Sequence, residues 1–289
     1  MYRFITVFSI FLLLFASCRN TRPEYGFVRL VFQHQWDGEP FRTDLATSYT
    51  NAAGNTFTWQ NLHYIISDLT ITGNDEVIRV EHPQVHFIDR DTTILLIYQI
   101  PVGEYNNISF IFGLDERRNQ TGLFPEISDM FWPEHMGGGY HYMMLDGWWT
   151  SPQGPRPANL HLGALEELSH VVNDTTWGIL DTVTQMRPIV QIRIDSTFTK
   201  YHNFLRVSLS RNITVEANTI TTVAPIIMDV EQWMESPLAW DFNVMGYGCI
   251  MRRRHAMDSL AINGAAGVFR GANVTREDIR EFRTVTVLR

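Results

Sequence analysis

The residues with the most chemistry to offer lie close together, from Met130 to Trp149, in the run MFWPEHMGGGYHYMMLDGWW. This run holds three of the eight tryptophans and four of the eleven methionines. YHYMMLDG alternates as a strand does, with Tyr140, Tyr142 and Met144 facing one way and His141, Met143 and Leu145 the other. An imidazole at His141 and a thioether at Met143, two residues apart on one face, are borderline and soft donors of the kind that suit copper. The other reading of the same strand is a Tyr- and Met-rich packing surface, since methionine fills irregular cores. Gly137, Gly138 and Gly139, just before it, predict positive φ or a close backbone approach.

Two more histidines stand in patterns of their own. His34 lies in FVRLVFQHQW, where Val28, Leu30, Phe32, His34 and Trp36 share a face. It reads equally as a core-edge histidine and as a ligand. His161 lies in NLHLG, as a ligand or as a turn-fixing side chain. His63, His82, His86, His135, His170, His202 and His255 are scattered and read as structural or solvated, and Asp115 and Asp146 read as turn or cap residues. Trp132 reads first as a large aromatic anchor. There is no HExxH, CxxC, GxSxG or P-loop, so a zincin, a zinc ribbon, a serine hydrolase and an NTPase are not indicated.

The elements that must position these residues are short strands. Phe27–Trp36, Phe57–Ile66, Leu69–Gly73, Gly103–Gly113, Arg187–Thr199, Phe204–Leu209 and Ile213–Val223 read as strands, and Val77–Ile88 as an edge interrupted by Pro83. LGALEELSHV reads as a helix followed by a loop, inserted on the sheet framework. Asp229–Met234 and Cys249–Ile262 read as helices, the latter stopped by Asn263-Gly264, and Thr275 as a cap before a helix at DIREFR. The sum predicts an all-β protein, an antiparallel β-sandwich with a few short helical insertions.

With 45% hydrophobic and 19% charged residues the chain can bury a large core. A net charge of −8 with no basic run argues against a nucleic-acid partner. Phe4–Phe15 is an apolar segment of signal-peptide length behind Arg3, and FASC has the shape of a lipobox. The expected organisation is a lipoprotein signal peptide over 1–17, lipidation at Cys18, a tether over 18–25 and a single domain over 26–289. Cys249 would then have no disulfide partner within the chain.

Five blocks in order, FTWQNLHYIISDLTIT, FGLDERRN, MFWPEHMGGGYHYMMLDG, NLHLG and IMRRRHAMDSLAINGAAGVF, resemble those of the MbnP family, periplasmic copper-binding proteins abundant as Bacteroidetes lipoproteins. The resemblance implies a β-sandwich in the cell envelope, copper as the bound metal, and a diheme peroxidase of the MauG type as a possible partner. It favours His34, His141 and His161 as ligands, with Met143 as an auxiliary. It also draws attention to Trp132, because a tryptophan is oxidised to kynurenine in some methanotroph relatives. Two departures stand out: Asn119-Gln120 where those relatives have Asn-His, and Ala164-Leu165 where a cysteine often follows HLG. The expected function is copper binding for acquisition or handling, without catalysis, by a protein held by lipid at the inner or outer membrane. The alternative is a metal-free module holding a glycan or a protein through Trp148 and Trp149.

Overall fold

The computed structural model describes residues 23–74, 76–89, 92–176, 191–276 and 280–288. The signal segment and Cys18 lie outside the described residues. Two packed sheets and a small third one carry the described chain. The first sheet is built around β1 (Tyr25–Trp36), whose inward residues Val28, Leu30, Phe32, His34 and Trp36 are all buried, as their alternation predicts. The strands that follow are β2 (Glu39–Pro40), β3 (Ser48–Thr50), β4 (Thr56–Gly73), β5 (Val77–Arg79), β6 (Val85–Asp89), β7 (Thr92–Pro101) and β8 (Gly103–Phe112). After them come β9 (His141–Ser151), β10 (Gly154–Gly163), β11 (Leu165–Thr176), β12 (Gln191–Tyr201), β13 (Leu205–Val215), β14 (Ile220–Thr222), β15 (Ile226–Asp229), β16 (Ala272–Arg276) and β17 (Arg280–Leu288).

β1 pairs antiparallel with β2 and β7, and parallel with β14 and β15. The larger sheet runs β10-β9-β4-β8-β13-β16, with β3, β5 and β6 also on β4, and its pairs are antiparallel. The third sheet is β11-β12-β17. The two large sheets meet through aromatic contacts: Phe32 with Phe110 at 5.9 Å, and Trp36 with Trp59 at 6.3 Å between ring centroids. Edge and offset contacts of this kind add to the burial of large apolar surface. The architecture is the expected β-sandwich with short helices, antiparallel except where β1 pairs with β14 and β15.

Several boundaries differ from the sequence reading, each for a packing reason. Phe57–Ile66 and Leu69–Gly73 are one strand, β4. The Ser67-Asp68 break is an irregularity in register, with Asp68 at φ +52° and Ser67 Oγ donating to Gly113 O at 2.8 Å. LGALEELSHV is not a helix: Leu162 and Gly163 end β10, and from Leu165 the chain finds a partner in β12 and becomes strand β11, a long-range pairing that overrides local propensity. In DIREFR, residues 278 and 279 lie outside the described residues, and the chain from Arg280 is strand β17, paired with β12.

Among the described residues the α-helices are α1 (Gln232–Glu235), α2 (Phe242–Met245) and α3 (Arg254–Ala265). Asn263-Gly264 does not end α3 but lies inside it. Gly264 leaves room for the Trp233 ring, which a Cβ would strike. Asn263 is fully buried: its Nδ2 donates to Trp233 O at 3.0 Å and Leu238 O at 2.8 Å, and its Oδ1 accepts from Leu238 N at 2.9 Å. Asn263→Ala would orphan these backbone groups and is expected to cost about 3 kcal/mol of stability. Urea unfolding checks this, and a loss below about 1 kcal/mol would show that water replaces the side chain.

Candidate functional site

The site is built on the β9–β10 hairpin and the loop that precedes it. The register pairs His161 with Met144 and Asn159 with Asp146. Partners in such pairs share a face, so His161, Met144, Asp146 and Asn159 lie on one side of the sheet. Met143 pairs with Leu162 and Tyr64, on the other side. A shift of register between Leu162 and Gly163 sets His141 opposite Gly163, and His141 meets His161 edge to face at 5.0 Å between ring centroids.

Each imidazole is held differently. His161 Nε2 lies 2.7 Å from Asp146 Oδ1, which also accepts from Asn159 Nδ2. Burial works against the Asp146 carboxylate, but its bonds to His161 and Asn159 outweigh it and hold its pKa below the usual value. An ionised Asp146 accepts a hydrogen bond from Nε2–H, which assigns the lone pair of a neutral His161 ring to Nδ1. That Nδ1 faces the Met251 sulfur at 3.2 Å. Two electron-pair donors thus stand at contact distance, and the carboxylate behind the ring is the arrangement that orients histidine ligands of metals.

His141 is 7% exposed. Its Nδ1 lies 3.2 Å from Met130 O, while its Nε2 is buried without a hydrogen-bond partner. Burial, then the neighbouring His161, pushes its pKa down to about 4, so the ring is neutral and able to donate a lone pair at physiological pH. Among the described residues no group of three or more His, Cys, Asp or Glu side chains is gathered for a metal. A metal here would therefore draw on the thioether of Met251 beside the two imidazole nitrogens, a donor set that fits Cu(I).

The loop before β9 is tied down by its glycines. Gly137, Gly138 and Gly139 all take positive φ, as expected. Asn119 packs against Gly139 where a Cβ would strike it, and its Oδ1 accepts from Tyr140 N at 2.9 Å. Tyr140 Oη in turn accepts from Phe124 N at 2.7 Å. Asn119 is therefore a structural brace, and Gln120 is exposed, donating to Arg117 O. Trp132 is buried, edge-on to His141 at 4.7 Å, with its ring against Gly163.

Of the sequence-predicted ligands, His141 and His161 come together and two others do not. His34 lies in the core between the sheets, its Nε2 3.1 Å from Tyr64 Oη. Met143 is fully buried on the same inner side as Tyr64. Met251, Asp146 and Asn159 were not singled out as site residues. Met251 stands in the IMRRRHAM block and Asp146 beside a turn-type glycine, and only the hairpin register and the packing of residue 251 bring them to His161. Trp148 is 43% exposed, but Trp149 is buried against Phe242, so the two do not form a joint aromatic platform.

A family model matches residues 25–251 and carries the description MbnP. The chain belongs to the MbnP family. Among solved structures, it is similar to MbnP from Methylosinus trichosporium at 10% identity, over 75% of this chain and 79% of that one, with a TM-score of 0.43. No curated protein matches. The matched span takes in both strands of the hairpin and ends at Met251.

Two further buried histidines bear on acid stability. His86 and His202 are pushed down to about 4 by burial, with Lys200 adding to the effect at His202. Unfolded, each would titrate near its ordinary value, so between these limits the unfolded chain binds more protons. Their contribution is complete above about pH 6.5 and is lost as pH falls to about 4, up to ~3 kcal/mol per group. Urea midpoints measured from pH 7 to 4 should fall, and His86→Asn and His202→Asn should each flatten the profile. Parallel profiles for wild type and variants would refute this.

Proposed function

We propose that this MbnP-family protein is a lipid-anchored cell-envelope protein that binds copper as Cu(I) for acquisition or handling rather than for catalysis. The observation that supports this reading is His161, with Nε2 held by Asp146 and Nδ1 set 3.2 Å from the Met251 sulfur. His141, neutral and with an unpartnered Nε2, is the third donor. His161 and Met251 would hold the ion, Asp146 would fix the tautomer, and Trp132 and the glycine loop would keep water and competing ligands from one side. Copper so bound would be a cargo, exchanged through dative bonds, and the residues need move no proton to release it.

Lipidation at Cys18 and a diheme peroxidase partner rest on the lipobox shape and on the family resemblance. The test of the reading is the copper content of the mature protein, followed by Cu(I) titration in competition with a chromogenic chelator. One tightly held equivalent is the expected result. Binding no tighter than that of a variant lacking His141, His161 and Met251 would refute it.

A further inference from the structure

The register of three neighbouring strands sets one row of side chains across the larger sheet. His63 on β4 is opposite Met144 on β9, and Met144 is opposite His161 on β10. Directly opposed residues share a face, with Cβ atoms about 4.5–5.5 Å apart. The row reads imidazole, thioether, imidazole.

Its two imidazoles are held in the same way. His63 Nε2 lies 2.8 Å from Asp89 Oδ1, as His161 Nε2 lies 2.7 Å from Asp146 Oδ1. In both, an Nε2–H that donates to the carboxylate leaves the ring lone pair on Nδ1. The His63 side chain is 25% exposed and that of His161 14%. Met144 is partly buried, unlike the fully buried Met143 beside it. A soft donor between two oriented imidazoles, the outer one the more exposed, has the form of a route for a soft cation.

We propose that His63 and Met144 form an entry site for Cu(I), from which the ion passes to His161 and Met251. This rests on the reading of His161 and Met251 as ligands. In the exchange, the dative bond from His63 Nδ1 breaks and that from His161 Nδ1 forms, while the Met144 thioether, set between the two histidines by the register, keeps its own. The copper remains Cu(I) and each ring keeps its Nε2–H, so neither an electron nor a proton is transferred.

The test is stopped-flow loading of the mature protein from a Cu(I)–bicinchoninate complex, with final affinity measured by competition in the same chelator. His63→Gln and Met144→Leu, singly and together, are expected to slow loading about 10-fold while changing the final affinity less than about 2-fold. An unchanged loading rate overturns the proposal, and so does a loss of affinity equal to the loss of rate, which would make the pair part of the final site. In a second arm, the His161→Ala/Met251→Leu variant is titrated with Cu(I) while the methionine ε-methyl signals are followed by NMR. The Met144 signal, identified by its absence from Met144→Leu, is expected to shift at an affinity at least about 100-fold weaker than that of wild type. A Met144 signal that stays in place at saturating Cu(I) overturns the entry site. The two readings fail separately. Tight binding without any effect of His63 or Met144 removes the entry site alone. A Met144 shift in a protein that gains no tight binding from His161 removes the inner site and the transfer, and leaves the outer pair as the place of binding.

Discussion

Replacing His161 with alanine is expected to weaken Cu(I) binding by at least ~100-fold, the largest effect of any single change at the site. The ring supplies the nitrogen that faces Met251 at 3.2 Å. Met251→Leu conserves volume while removing the sulfur, so its loss of affinity measures the thioether alone. Asp146→Asn keeps the shape of the carboxylate but removes its charge, and loss of such an outer partner typically costs 10–100-fold in affinity. The expected order of affinity is wild type, then Asp146→Asn, then His161→Ala, read by chelator competition. His34→Gln and Met143→Leu should leave affinity unchanged, because both side chains lie on the core side of the sheets. Loss of binding in either, with His161→Ala unaffected, would place the metal between the sheets and refute the site at the hairpin.

Trp132→Ala is expected to lower stability by about 3–5 kcal/mol, the range for truncating a large buried aromatic. Trp132 is 1% exposed, lies edge-on to His141 and covers the face of Gly163, where an added Cβ would come within 2.7 Å of the ring. The indole therefore joins the loop before β9 to the end of β10 and fixes the His141 ring. Trp132→Phe should recover much of the loss, and Gly163→Ala should reproduce part of it by pushing the indole off the strand. Urea unfolding followed by far-UV circular dichroism measures all three. A loss below about 1 kcal/mol for Trp132→Ala would mean that the loop is held mainly by Asn119, Tyr140 and the glycines.

Much of the fold was legible because alternation is a local signal. In β1 every second residue from Val28 to Trp36 is buried, and the pattern of types alone predicts it. The triple glycine declared its backbone in the same way, since only glycine takes three consecutive positive φ values without strain. The errors fell where a distant segment decides. LGALEELSHV carries a passable helical period but becomes strand through β12. Asn263-Gly264 has the form of a helix stop but is a buried bracket for Trp233 and Leu238.

The site divides along the same line. Residue chemistry and block order were enough to single out His141, His161 and Trp132 and to suggest a soft metal, because imidazole and thioether have those preferences wherever they stand. Alternation gave the faces of β1 correctly, but not the shared face expected of His141 and Met143: after the register shift His141 meets His161, while Met143 lies on the other side with Tyr64. Alternation did not fix which strands lie side by side or in what register. Register placed Met143 with Tyr64 in the core and Met144 in line with His63 and His161, and packing brought Met251 from 90 residues away to the His161 ring. A one-residue change of register exchanges the two faces of a strand, so the identity of the donors at this site belongs to the tertiary structure, and their chemical type to the sequence.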